Sequence, residues 1–70
     1  MNSKKTLEKY IEYTFDKDLE VVYTSSITAE VKLKDGVVKL LALNDLIVLY
    51  INDVEYQTLE LVGDVFVSRY

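Results

Sequence analysis

Twelve carboxylates, eight lysines and arginines, six tyrosines and a scatter of serine and threonine hydroxyls carry nearly all the reactive chemistry of this 70-residue sequence, which contains neither histidine nor cysteine. Nucleophilic catalysis would therefore fall to Ser, Thr, Lys or Tyr, activated by a carboxylate or lysine base. No spacing supports that: Ser25-Ser26 reads as a turn, and the tyrosines read as amphipathic core or rim residues. A carboxylate pair for acid-base work needs burial to raise one pKa. Nearly all the acids here fall instead in turns, on a helix exterior or on a polar sheet face. In a meander, Asp35 and Asp53 emerge at one end and Asp45 and Asp64 at the other. Two carboxylates and turn carbonyls could hold a hard cation weakly, but calcium-loop spacing is missing and turn chemistry accounts for these residues. Gly36 and Gly63 stand alone, so no phosphate-cradling loop forms. The sequence assigns no catalytic, cofactor-binding or metal residue, and a non-enzymatic protein is expected.

What positions these side chains is a small core. Leu, Ile, Val and Phe make up 26 of 70 residues, enough to offset the entropy of ordering the chain. Without cysteine or histidine, neither disulfides nor the usual metal sites can supplement that core, so packing, or a partner subunit, must suffice. Self-association, with a homodimer as the simplest form, follows as an expectation. The longest apolar run, Leu46 to Ile51, is six residues, far short of the roughly 20 that span a bilayer. Glu8 and Glu12 interrupt the stretch that a signal peptide would need to be apolar, so a cytoplasmic protein without a membrane partner is expected.

Leu7, Tyr10, Ile11 and Phe15 form one stripe of a helix over about residues 4–16, with Ser3 as N-cap. Lys4 with Glu8, and Lys9 with Glu12, give that helix an outer face of mixed charge pairs. After Asp16-Lys17-Asp18 the apolar period shortens to two and β-branched residues become dense. Turn signals at Ser25-Ser26, Asp35-Gly36, Asn44-Asp45, Asn52-Asp53 and Gly63-Asp64 divide the remainder into strands over about 19–24, 27–34, 37–43, 46–51, 54–62 and 65–70. The fold class expected is α+β, mainly β: residues 1–70 as a single domain, with the helix packed on a curved antiparallel meander of five to six strands, barrel-like or open.

A type I′ turn at Asp35-Gly36 would set Lys34 opposite Val37, Leu33 opposite Val38, Val31 opposite Leu40 and Ala29 opposite Ala42. Ile27, Ala29, Val31, Leu33, Val38, Leu40, Ala42, Ile47, Leu49, Ile51, Val54 and Tyr56 then share one face. The alternation slips after Tyr56, and a bulge near Gln57 to Leu59 would return Leu59 and Leu61 to the core.

The reverse face is polar at Thr28, Glu30, Lys32 and Lys34, then apolar at Leu41, Leu43, Leu46 and Val48, with Tyr50 at its border. A strand apolar on both sides must be covered on both sides, and one short helix covers only one. These five residues are the interface candidates. The cover is supplied by the sheet curling on itself, by residues 19–24, or by another molecule.

Two stretches are similar to motifs of the Sm-like small-barrel family, which also sets an N-terminal helix before short curved strands. Val31-Lys32-Leu33-Lys34-Asp35-Gly36-Val37-Val38 resembles its first hairpin, and Gly63-Asp64-Val65-Phe66-Val67-Ser68-Arg69 the start of its second motif. The resemblance covers about 15 of 70 residues and implies a ring-forming RNA binder. The departures are a missing glycine between Val37 and Leu43, the loop from Ala42 to Leu46, and the lack of a closing strand after Tyr70. No base-binding residue carries over.

The net charge of −4 is concentrated in the C-terminal part, where residues 41–70 alone sum to −4. Nucleic acid is thus an unfavourable partner, Lys32, Lys34 and Lys39 being the one basic cluster on the strands. The leading expectation is a small protein-binding or regulatory module using the apolar patch or an edge strand. The Sm-like reading is the first alternative, and an acidic nucleic-acid mimic that inhibits a basic partner protein is the second.

Overall fold

A computed structural model describes residues 2–69 of the chain; Met1, and Tyr70 at the end of the expected last strand, lie outside the described residues. Helix α1 spans Ser3–Thr14 and is followed by strands β1 (Glu20–Tyr23), β2 (Thr28–Leu33), β3 (Gly36–Leu43), β4 (Leu46–Ile51), β5 (Val54–Val62) and β6 (Val65–Ser68). Each strand pairs antiparallel with the next, giving one sheet in the order β1-β2-β3-β4-β5-β6. β1 and β6 remain its two edges, so the sheet is open and the barrel-like alternative is not taken. No helix among the described residues is long and apolar enough to cross a membrane.

The helix begins one residue sooner and ends two sooner than its apolar period implies. Asn2, rather than Ser3, is the N-cap: its side chain accepts a hydrogen bond from the Lys5 amide at 2.9 Å, and its carbonyl accepts from the Thr6 amide and hydroxyl, each at 3.0 Å. Ser3 is freed to tether the helix to the sheet, its hydroxyl accepting from the Asn44 amide at 2.8 Å. Lys9 ignores Glu12 and reaches Asp64 at 3.0 Å in the β5–β6 turn. At the other end, Phe15 leaves helical geometry (φ −110°, ψ 145°) and turns its ring edge-on to Tyr10 at 6.1 Å.

α1 lies over β3 and β4. Leu7, Tyr10 and Ile11 press onto Ala29, Val31, Val38, Leu40, Ala42, Ile47, Leu49 and Leu59, all buried. The face parity expected from the sequence therefore holds across the central strands. It fails to give burial at the sheet end remote from the helix N-terminus: Leu33, Ile51, Val54 and Tyr56 are exposed. The helix covers the middle of the sheet, and residues beyond its reach stay in solvent whatever their parity.

Two local features differ from the sequence reading. Leu33 pairs with Gly36 and Val31 with Val38, so Lys34 and Asp35 form the β2–β3 turn, and the register slides by two residues from the expected one. A slide of two keeps every side chain on its face, so the hydrophobic pattern cannot distinguish the registers. Neither Asp35 nor Gly36 has positive φ; the type I′ combination occurs instead at Asn52 (φ 50°) and Asp53 (φ 67°). At Gly36 a Cβ would meet the Asn52 Oδ1 at 2.8 Å, so a side chain there would push the Asn52 amide group aside. The second difference is the bulge, which falls at Tyr56, between Glu55 opposite Tyr50 and Gln57 opposite Leu49, rather than at 57–59. It still returns Leu59 and Leu61 to the buried face, while Tyr56 is expelled to solvent.

Tyr10 sits under the helix with its ring edge-on to Phe66 at 5.0 Å. Burial pushes its hydroxyl above the usual tyrosine range, with a hydrogen bond to Thr14 acting against that shift. The folded chain then keeps this proton at a pH where the unfolded chain has lost it. The associated stability is complete below the unfolded pKa of about 10 and is lost as pH rises through the higher folded value. Urea unfolding between neutral pH and the tyrosine range should show stability falling at the alkaline end, with a shallower fall in Tyr10→Phe. Tyr23, shifted upward by burial and then by Glu8, supplies part of the slope that remains.

Candidate functional site

The five residues singled out from the sequence come together. Leu41 is opposite Val48 and Leu43 opposite Leu46 across the β3–β4 pair, and Tyr50 lies beside Lys39 one row along. All five point away from the helix, on a face that no described element covers. Leu43 is 46% exposed, and Leu41, Leu46, Val48 and Tyr50 are half-buried by their own neighbours on the sheet. β1 extends the sheet at its edge instead of folding across this face, and of the 19–24 segment Thr24 reaches a hollow beside Leu41 and Tyr50.

Sequence reasoning missed the continuation of the patch. Glu60 is opposite Leu46 on one side and Val67 on the other, and Val62 pairs with Val65. The bulge at Tyr56 resets the parity of β5, which places Val62, Val65 and Val67 on the same face as Leu46, each about half exposed. The apolar strip thus runs diagonally from Leu41 to the β5–β6 corner. The signal was present: any bulge that returns Leu59 and Leu61 to the core sets Val62, and across the Gly63-Asp64 turn Val65 and Val67, on the other face.

Ion pairs edge and interrupt the strip: Lys32 with Glu20 at 3.4 Å and Lys39 with Asp53 at 2.7 Å lie at its border, and Glu60, held by Arg69 at 2.8 Å, sits between Leu46 and Val67. The hydrogen bond from Lys39 to Asp53 and the charge of that carboxylate hold the ammonium pKa above its ordinary value. These are exposed pairs and add little stability. On the same face Glu55 stands opposite Tyr50 and Glu30 opposite Lys39, and neither forms an ion pair with a described residue. Thr28, Leu41 and Tyr50 line a shallow, open hollow of about 290 Å3 at the β2 side of the patch.

The hydroxyl chemistry is accounted for by turn formation. Ser25 Oγ accepts hydrogen bonds from the amides of Ile27 and Thr28, each at 3.1 Å, and lies 2.7 Å from the Thr28 hydroxyl. Asp53 and Asp64 are occupied by lysines at opposite ends of the sheet. Among the described residues, no group of three or more carboxylates comes together in a way that could hold a metal ion. The arrangement as a whole presents an apolar strip edged by charged residues on the side of the sheet away from the helix. No known family, curated protein or solved structure matches this chain.

Proposed function

We propose that this protein is a small non-enzymatic protein-binding module whose open sheet face is its binding surface, and that the occupant of that face is a second copy of the chain. The observation that supports this reading is the strip of Leu41, Leu43, Leu46 and Val48 on the side of the sheet away from the helix, with Leu43 exposed and the other three half-buried. Five gaps of about 4.8 Å across strands roughly 20 Å long give a face of on the order of 500 Å2 in projection. Side-chain relief enlarges that toward the roughly 800 Å2 per partner of an ordinary stable interface. Two such faces packed about 10 Å apart form a β-sandwich with one helix on each outer side.

An identical copy suits the face because its ion pairs are satisfied within each chain, so apposing two copies strands none of those charges. The small core adds a physical reason. A single core below about 70–80 residues rarely supplies more than roughly 3–5 kcal/mol, and a partner subunit supplements it. Light scattering on the purified chain at micromolar concentration should therefore give twice the 8.1 kDa chain mass. A monomer at every concentration would remove the self-association reading, and a six- or seven-membered ring would favour the Sm-like one.

A further inference from the structure

We infer that the groove between α1 and the free edge of β1 binds an extended, alternately basic and apolar segment of another protein, which adds to the sheet as a seventh strand. This site lies on the helix side of the sheet and is independent of the Leu46 face.

The two edges of the sheet differ in what lies beside them. At β6, Phe66 is packed against the rings of Tyr10 at 5.0 Å and Tyr13 at 6.3 Å, so the helix closes over that flank. At β1 the helix falls short. Ile11, Phe15, Leu19 and Val21 line an open groove of about 390 Å3, and Phe15, Leu19 and Val21 are only partly buried against the core. β1 pairs with β2 on one side alone, leaving its outward amides and carbonyls as a template for strand addition.

Charge selects the occupant. Glu12 and Asp16 border the groove, and Glu8 lies close enough to Tyr23 to raise the pKa of its hydroxyl, so acidic groups follow β1 from Tyr23 to Leu19. Lys17 is the basic residue lining the groove, and neither Glu12 nor Asp16 forms an ion pair with a described residue. Glu8 and Glu12 are separated by four residues of helix, a rise of about 6 Å. Side chains on one face of a strand recur every 6.6–6.8 Å or so, nearly the same repeat. Successive inward lysines or arginines of an added strand can thus lay their aliphatic stems over the apolar floor and bring their charges to successive carboxylates. Its outward side chains fall beside Val22, which is 40% exposed and favours apolar neighbours.

The test is titration of the full chain with a fluorescein-labelled heptapeptide of alternating lysine and valine, followed by fluorescence anisotropy and by amide NMR shifts. Saturable binding is expected, with the largest shifts in residues 19–24. Binding should weaken about tenfold in the Glu8→Gln, Glu12→Gln double variant and with a peptide carrying proline at its centre, but not in Glu55→Gln, which removes a carboxylate far from the groove. Absence of saturation up to about 1 mM would overturn the proposal. Equal binding by a glutamate-valine peptide, or equal weakening by Glu55→Gln, would reduce the effect to unspecific attraction and overturn it as well.

Discussion

Leu40→Ala is expected to leave the isolated chain mostly unfolded at 25 °C, while Leu41→Ala, one residue along the same strand, leaves it folded. Leu40 is 1% exposed, lies between Ala29 and Leu49 on the neighbouring strands, and faces the helix stripe of Leu7, Tyr10 and Ile11. Truncating such a leucine costs about 2–5 kcal/mol, because the lost burial is joined by a cavity that the surroundings fill only in part. That loss is comparable to the roughly 3–5 kcal/mol a core of this size provides, and at a fully buried site such as this it takes up most of it. Leu41 already meets solvent on the other face, so its truncation leaves no enclosed void. Urea titrations followed by circular dichroism compare the two variants in the Leu46→Lys background, where the proposed dimer interface is disabled and the isolated chain is what unfolds. Equal destabilisation by both would mean that the second face is covered within the chain, which contradicts the open sheet.

Leu46→Lys is expected to convert the proposed dimer to a folded monomer. Within one chain the substitution is mild: the lysine stem can lie along Leu43 and Val48 with its ammonium in water, and Glu60 stands directly opposite on β5. In the proposed apposed pair of faces the same ammonium loses its water, and Glu60 beside it is already engaged by Arg69. Burying an unpaired charge is costly enough to weaken association by about a hundredfold or more. Light scattering reads the mass, and circular dichroism reads the fold. A dimer that persists would exclude this face as the interface. A monomer that fails to fold would instead make Leu46 part of the intramolecular core. Because the α1–β1 groove is on the opposite side of the sheet, Leu46→Lys should leave peptide binding there unchanged, so the two sites can fail separately.

Much of the candidate surface is legible in the sequence, because it follows from counting apolar residues on both sides of β3 and β4. Leu41, Leu43, Leu46, Val48 and Tyr50 take the expected places. The groove is not legible in the same way. It depends on how far a helix extends sideways over a sheet, and the alternation of residues 19–24 says nothing about that distance. Val62, Val65 and Val67 were within reach of the same counting, because the bulge that returns Leu59 and Leu61 to the core also sets these three on the other face.

Periodicity alone determined the helix, the six strands, their antiparallel succession and the division of the central residues into two faces, since a change from 3.6 to 2 in the apolar repeat is a local property of the chain. Tertiary contacts decided the rest. The β2–β3 register was open to a slide of two because both registers bury the same face; the structure takes the one in which Gly36 makes room for the Asn52 side chain. The N-cap moved to Asn2 in the arrangement where the Ser3 hydroxyl bonds the Asn44 amide, 41 residues away. Whether the sheet closed depended on the placement of β1 and β6, which lie at opposite edges with the helix between them on one side and an uncovered apolar strip on the other. Local patterns fix which side of an element is apolar, but what covers that side is settled by long-range packing.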